Sequence, residues 1–428
     1  MAFIHLSCVL VGAGFFGLVS VAESSTSLHQ EPLLSEETER VGLIPEQVVP
    51  KRLSRVDDAV RRHMMERDLV GVGIGVVQAG AISYLKGYGY QDREAEVPLL
   101  AQRSMIRWAS ISKPVTAIIA SRLASQGVVD LDAPIETYFK AYRPPRTHVL
   151  KCKKRADEIT HHAKTYPCTK GYADIKVSKK ERRVTLRSLL AHTSGVRGYG
   201  GGRKGATPAR KRLNNPAYNK GLGWGLKKVL RSPFAYMPGT EYMYSTFGFN
   251  LAAHVLEHAT GESFPALIQK HVSSLANLQT LQPDHAWVDI PDRAEGYRFH
   301  KKKKEIVVTK TYDVSWKMAG GGLISTPRDL ARFCKAMTGS ALISDAQKAE
   351  LWEEQVKKDG EGTDYGLGFG VGEKGGRRFV EHSGVQPKTR SHLRLYPEEE
   401  LCIVVMSNTT TAKTSELVNA IDDALRVD

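Results

Sequence analysis

Strand-like sequence lies at both ends of this chain and helix-like sequence fills the middle, and this arrangement constrains the fold more than any other feature. Residues 70–77 and 81–90 are rich in β-branched and aromatic residues and flank Gln78-Ala79-Gly80, which predicts a hairpin. Three further strand-like runs, Arg378 to Glu381, Ser391 to Tyr396 and Leu401 to Met406, come late in the chain and precede a helix over about 414–425. Together they predict one sheet formed from both chain ends. Between them, residues 106–126, 186–192, 247–258 and 330–337 carry apolar residues at helical spacing, as do Leu53, Val56, Val60 and Met64 ahead of the first strand. Thr326-Pro327-Arg328-Asp329 supplies a cap, a first-turn proline and an acid at the third position for the helix that follows. Gly71-x-Gly73-x-Gly75 is not a dinucleotide fingerprint, because its third glycine falls one residue early and strand follows; it predicts close packing of a strand.

The 428 residues are 25% charged and 41% hydrophobic, which excludes collagen-like, coiled-coil and low-complexity classes. A net charge of +15 first suggests an anionic partner. The charge is local, however: residues 143–184 hold 13 basic and 4 acidic residues and residues 203–231 hold 9 basic and none acidic, so the two segments carry +18 and the remainder −3. These are expected to be solvated surface insertions, with docking of an anionic partner or self-assembly second. Nucleic-acid binding is disfavoured because no zinc-finger spacing, RNP-like aromatic motif or basic heptad accompanies the charge.

Residues 1–22 are uncharged, largely apolar, and end in Ser20-Val21-Ala22 ahead of a polar stretch, as a secretory signal or an N-terminal anchor does; residues 23–50 read as a polar linker and 51–428 as the folded domain. The expected location is the secretory pathway, with a mitochondrial setting as the alternative, weakened by the absence of any Lys or Arg before Arg40. Cys334 and Cys402 fall in apolar helix and strand patterns and read as buried thiols. Cys152 and Cys168 lie together in the first basic insertion, are expected to pair in an oxidising compartment, and match no metal spacing even with His161 and His162 between them, so neither metal nor cofactor is expected.

Two Ser-x-x-Lys tetrads are present, at Ser83 to Lys86 and Ser110 to Lys113. Residues three apart share a face on a helix and oppose one another on a strand, so Ser83 in its strand-like run cannot use Lys86 as a base. Ser110 precedes Pro114, Val115, Ile118, Ile119 and Leu123, an apolar helix whose first turn would hold Ser110 beside a desolvated Lys113. Burial lowers a lysine pKa and makes the neutral amine available as a base. Taken alone, Ser110 or Ser112 equally fits a helix cap ahead of Pro114. His192, Trp108 and Phe247 read as packing residues, and Lys301 to Lys304 as a solvated turn between two short strands.

Tyr244-Ser245-Thr246 ahead of a helix, and His382-Ser383-Gly384 at a strand end, follow Ser110-x-x-Lys113 in that order. In these elements, and in Trp108 to Pro114, Gln126 to Pro134, Leu189 to Gly195 and Ala319 to Thr326, the chain resembles the serine β-lactamase and penicillin-binding-protein superfamily, class C branch, from about residue 49 onward. The resemblance implies an α+β fold with a five-stranded antiparallel sheet, an α/β lobe from residues 51–105 and 365–428, and a helical lobe from 106–364. It implies Ser110 as acylated nucleophile, Lys113 as its proton partner and Tyr244 as general base and later acid. Ser383, Gly384 and Thr246 would contact substrate, and His382 would add polarity toward a substrate carboxylate or leaving group. The backbone N–H groups of Ser110 and Val385 would form the oxyanion hole. Thr246 stands where the family usually has Asn, which puts antibiotic hydrolysis in doubt, and Lys388 stands where a glycine is common, which predicts a bulkier cationic rim. Among Tyr236, Tyr242 and Tyr244, residue chemistry alone makes no choice. The implied function is hydrolysis of an amide or ester, most simply of a peptide. A non-hydrolytic scaffold and an esterase or transesterase on the same fold are the alternatives.

Overall fold

The computed structural model describes residues 51–426 apart from 154–155, 162–163, 199–220, 228–229 and 231. The leader, the linker and most of the second basic insertion lie outside the described residues, as does His162.

Helix α1 (Lys51–Glu66) leads into a hairpin of β1 (Gly71–Gln78) and β2 (Ala81–Asp92), then the short β3 (Val97–Pro98) and β4 (Ile106–Arg107). A 3₁₀ turn, Ala109–Ile111, precedes α2 (Ser112–Ser125). The first basic insertion contains β5 (Thr147–Lys151), β6 (Glu158–His161), β7 (Lys164–Pro167) and β8 (Tyr172–Lys176), and α3 (Leu186–Leu190) follows it. After the helix Thr246–Thr260 come β9 (Gln282–Pro283), β10 (Tyr297–His300), β11 (Glu305–Val308) and β12 (Leu323–Ser325). The helix Pro327–Thr338 then precedes β13 (Gly370–Lys374), β14 (Arg377–Gln386), β15 (Thr389–Tyr396), β16 (Leu401–Ser407) and the C-terminal helix Thr414–Arg426.

The main sheet has the order β13-β14-β15-β16-β1-β2-β3, and β1 pairs antiparallel with β16, so the two chain ends do share a sheet. It has seven strands where the sequence predicts five. The extra two are edge strands whose sequences hide them: glycine-rich β13, and β3, two residues long and containing Pro98. Alternation assigns the faces. Ile403 and Val405 join Val72, Ile74 and Val76 under α1 and the C-terminal helix, whereas Val404 and Met406 point into the larger core shared with the helical lobe. The glycine stripe of β1 serves the latter face: a Cβ on Gly73 would strike Pro327 and one on Gly75 would come 2.8 Å from Ala331 Cβ, so the glycines let the helix Pro327–Thr338 lie close on the sheet.

The helix expected from residue 106 begins at Ser112 instead, because Ile106 and Arg107 pair with Ser325 and Ile324 of β12. The first insertion is also more ordered than its polar composition suggests. Strands β5 and β8 pair, as do β6 and β7, and Leu150, Ile159 and Tyr166 pack around Cys152, Ala173 and Ile175. A disulfide joins Cys152 to Cys168 with Cα atoms 6.2 Å apart. Cys334 and Cys402, expected as separate thiols, are also joined: the helix Pro327–Thr338 packs across β16 and brings their Cα atoms within 6.2 Å. Nothing in their sequence separation of 68 signals this pairing.

Candidate active site

Trp108 is fully buried, its indole N–H donating to Ser325 Oγ at 2.6 Å and its ring 5.3 Å from that of Phe333. This anchors the chain just ahead of Ser110. Ala109 then takes φ +49°, a left-handed conformation that costs a non-glycine residue energy and that packing on both sides must hold. The 3₁₀ turn and the first turn of α2 set Lys113 beneath Ser110, with Nζ donating to Ser110 Oγ at 3.0 Å and to the Gly320 carbonyl at 2.6 Å. Lys113 is completely buried, and burial together with the nearby Lys317 charge pushes its ammonium pKa well below the ordinary lysine range. Lys317 is itself lowered to about 8 by burial and by Arg107.

Neither of the other serines near or like this one competes. Ser112 Oγ donates to the Ala109 carbonyl and accepts from Leu323 N–H, which ties the turn to β12. Ser83 lies on β2 and bonds to Gln78.

The structure separates the three tyrosines. Tyr236 is buried with its hydroxyl donating to the His192 carbonyl, and Tyr242 stands outside against the edge of the His192 ring. Tyr244 lies over the lysine: Lys113 Nζ is 4.5 Å from its ring centroid, and its hydroxyl is 3.5 Å from His382 Nε2. His192, at the end of α3 with φ +61°, backs this arrangement. Its Nδ1 accepts the Ser245 N–H at 3.0 Å and its ring is 4.3 Å from that of Tyr244. Ser245 Oγ caps the helix Thr246–Thr260 through Gly248 N–H. Thr246 is buried in the first turn, its methyl where a side chain on Gly320 would go.

Strand β14 forms the opposite wall, running through the His382-Ser383-Gly384 triplet that the sequence puts at a strand end. His382 and Gly384 share a face of the strand, and Ser383 and Val385 are exposed on the other. A Cβ at Gly384 would run into the Trp108 carbonyl oxygen, so only glycine lets the strand pass this close to the Ser110 turn. Burial lowers His382 to about 3, with Lys113 adding to this when it is protonated, which leaves a neutral imidazole. The expected cationic rim is absent at Lys388. That side chain is buried against Gly296, with Nζ bonded to Thr311 at 2.7 Å and Glu295 at 3.1 Å, because φ +76° in the β14–β15 turn directs it away into the body of the protein.

Tyr365 is a site residue that the sequence reading misses. It lies in the loop before β13, is almost wholly buried, and places its hydroxyl 2.9 Å from His382 Nε2. That hydroxyl contact and its ring contacts, 4.9 Å to His192 and 5.9 Å to His382, associate it with the site, and all arise from tertiary packing. No cluster of His, Cys, Asp and Glu suited to a metal ion occurs among the described residues.

The sequence model of the family described as Beta-lactamase matches residues 56–427. The human protein named serine beta-lactamase-like protein LACTB, mitochondrial, is 28% identical over 403 residues, covering 80% of this chain and 71% of that protein. Esterase EstB of Burkholderia gladioli is 28% identical over 224 residues, 51% of this chain and 48% of the esterase. Among solved structures, D-amino acid amidase from Ochrobactrum anthropi SV3 aligns with a TM-score of 0.68 at 19% identity, over 88% of this chain and 99% of that one, a likeness of fold.

Proposed function

The chain belongs to the beta-lactamase family, and from that premise we propose that it is a serine hydrolase that cleaves an amide or ester, most simply in a peptide, through an acyl-Ser110 intermediate. The observation that carries the reading is the 3.0 Å contact between Ser110 Oγ and a completely buried lysine amine, whose proton affinity burial holds well below the ordinary lysine range. Lys113 in its neutral form, rather than Tyr244, which the resemblance implies as general base, takes the Ser110 proton as Oγ attacks the carbonyl carbon, because Lys113 Nζ is the group 3.0 Å from Ser110 Oγ. Tyr244, over the lysine and facing the cleft, gives its proton to the departing nitrogen or oxygen and recovers one from Lys113. Water then repeats the sequence on the acyl-enzyme and returns Ser110.

The carbonyl oxygen needs donors as it becomes an oxyanion. Gln386 and Thr389 flank a two-residue turn, so they form a hydrogen-bonded pair and the neighbouring Val385 N–H points to the other edge of β14. Strand β13 pairs along that edge only as far as Glu381. This supports Val385 N–H, with that of Ser110, as the oxyanion hole. Relatives named an esterase and a serine beta-lactamase-like protein support the reaction class. The human and mouse relatives are both named mitochondrial, which supports that setting over the secretory one.

Intact-mass analysis after incubation with a fluorophosphonate is the test. One label should appear on Ser110, Ser110→Ala should abolish it, and Ser83→Ala and Ser112→Ala should keep it. Label on a different serine would remove the assignment.

A further inference from the structure

We infer that Tyr365 is a positioning residue whose hydroxyl occupies the single acceptor nitrogen of His382 and so keeps the Tyr244 proton available for the substrate's leaving group. The inference rests on the acyl-Ser110 reading above.

A neutral imidazole has one donor nitrogen and one acceptor. His382 Nδ1 is 2.8 Å from the Ser383 carbonyl oxygen, which can only accept, so Nδ1 carries the hydrogen and Nε2 presents its lone pair. Two phenols approach that lone pair, Tyr365 at 2.9 Å and Tyr244 at 3.5 Å. One in-plane lone pair serves one donor well, and the shorter contact takes it. The two phenols differ as their tasks require. Tyr365 is almost wholly buried, and burial pushes its phenol well above the usual tyrosine range, so it remains a donor. Tyr244 is 40% exposed.

The groups around the imidazole are consistent with a neutral ring. Lys113 of α2, His192 after α3 and His392 of β15 would all oppose a positive charge on it; Glu381 of β14 favours one but is engaged by His392 at 2.9 Å and by Arg394. Tyr365 is firmly held, its carbonyl accepting Gln355 N–H at 2.8 Å and its ring against His192. Without the Tyr365 hydroxyl, Nε2 would turn to Tyr244 and pin the proton that the leaving group needs. His382 would also lose a hydrogen bond that favours its neutral form, and its proton affinity would rise.

The experiment compares Tyr365→Phe with wild type on two esters of the same acid, p-nitrophenyl butyrate and ethyl butyrate. The first expels a stable phenolate without help; the second expels an alkoxide that must be protonated. General acid catalysis commonly supplies about 10²–10⁴-fold, so a weakened acid should lower kcat/KM, which reports the acylation step and not the deacylation that both esters share, by about tenfold or more on the ethyl ester while the p-nitrophenyl ester stays within about twofold. Equal loss on both esters, or no loss on either, would overturn the inference. In the wild-type protein, ¹⁵N NMR should find His382 protonated on Nδ1 and neutral at pH 6; a proton on Nε2 overturns the inference without any variant. If wild type turns over neither ester, this inference falls together with the function on which it rests.

Discussion

Lys113 Nζ lies 4.5 Å from the centroid of the Tyr244 ring and 3.0 Å from Ser110 Oγ, so one amine faces both the serine hydroxyl and the phenol. Two groups that handle the same proton do not contribute independently. Lys113→Met and Tyr244→Phe should each lower acylation by about 10²–10⁴-fold, and the double variant should lose far less than the product of the two. Single-turnover acylation by an amide substrate measures this, and strictly multiplicative losses would show that the residues act on separate steps.

Lys317, after burial, contributes to the lowered pKa of Lys113. Its charge, present below its own value of about 8, helps to depress the Lys113 pKa. Lys113 must be neutral to accept a proton, so Lys317→Met should raise the Lys113 pKa and shift the acid limb of kcat/KM to higher pH. The stability effect has a definite sign. The folded pKa of Lys317 is depressed, so between about 8 and the usual value of 10.5 the unfolded chain binds more protons, and this residue makes the fold more stable as pH rises through that window. Denaturant titrations at pH 8 and pH 10 should show the difference in wild type and its reduction in Lys317→Met.

Thr246→Asn should raise β-lactam turnover by about two- to tenfold, the equivalent of one added hydrogen bond, if an amide at this position holds the acyl group. Steady-state rates on a cephalosporin check it. Unchanged turnover would locate the limit elsewhere, with the neutral His382 the next residue to change.

Cys152→Ser should expose residues 143–184 to trypsin and leave Ser110 labelling unchanged, because the disulfide packs in its own small cluster with Leu150, Ile159, Tyr166, Ala173 and Ile175, which includes no residue of the Ser110 turn. Closing a loop of 16 positions is worth on the order of 3 kcal/mol in the chain-entropy model. Peptide mapping without reductant should recover both the 152–168 and 334–402 links. Free thiols at 152 and 168 in protein from its native compartment would remove the staple.

The sequence makes much of this legible because the relevant signals are local. Ser110 and Lys113 are readable since i and i+3 share a helical face, and β1, β2 and β16 since their apolar residues are continuous or alternate. The Cys334–Cys402 link, the burial of Lys388 and the role of Tyr365 are not readable, for a common reason. Each depends on which surfaces meet after the chain folds: a helix on a strand, a turn against Gly296, a loop against His382. The neutral state of His382 belongs with them, because it follows from burial and from Lys113, 269 positions earlier in the chain.

The pairing of β1 with β16 also governs when this protein can become itself. Ser407 Oγ donates to the Gly71 carbonyl across 336 positions, so the central seam of the sheet closes only after nearly the entire polypeptide has left the ribosome. At about 5–20 residues per second, the β1–β2 hairpin waits on the order of tens of seconds with Val72, Ile74 and Val76 uncovered. A nascent chain in that condition exposes an aggregation-prone apolar face, and a stop codon anywhere before β16 leaves Ser110 encoded but without the sheet that would hold its turn in place.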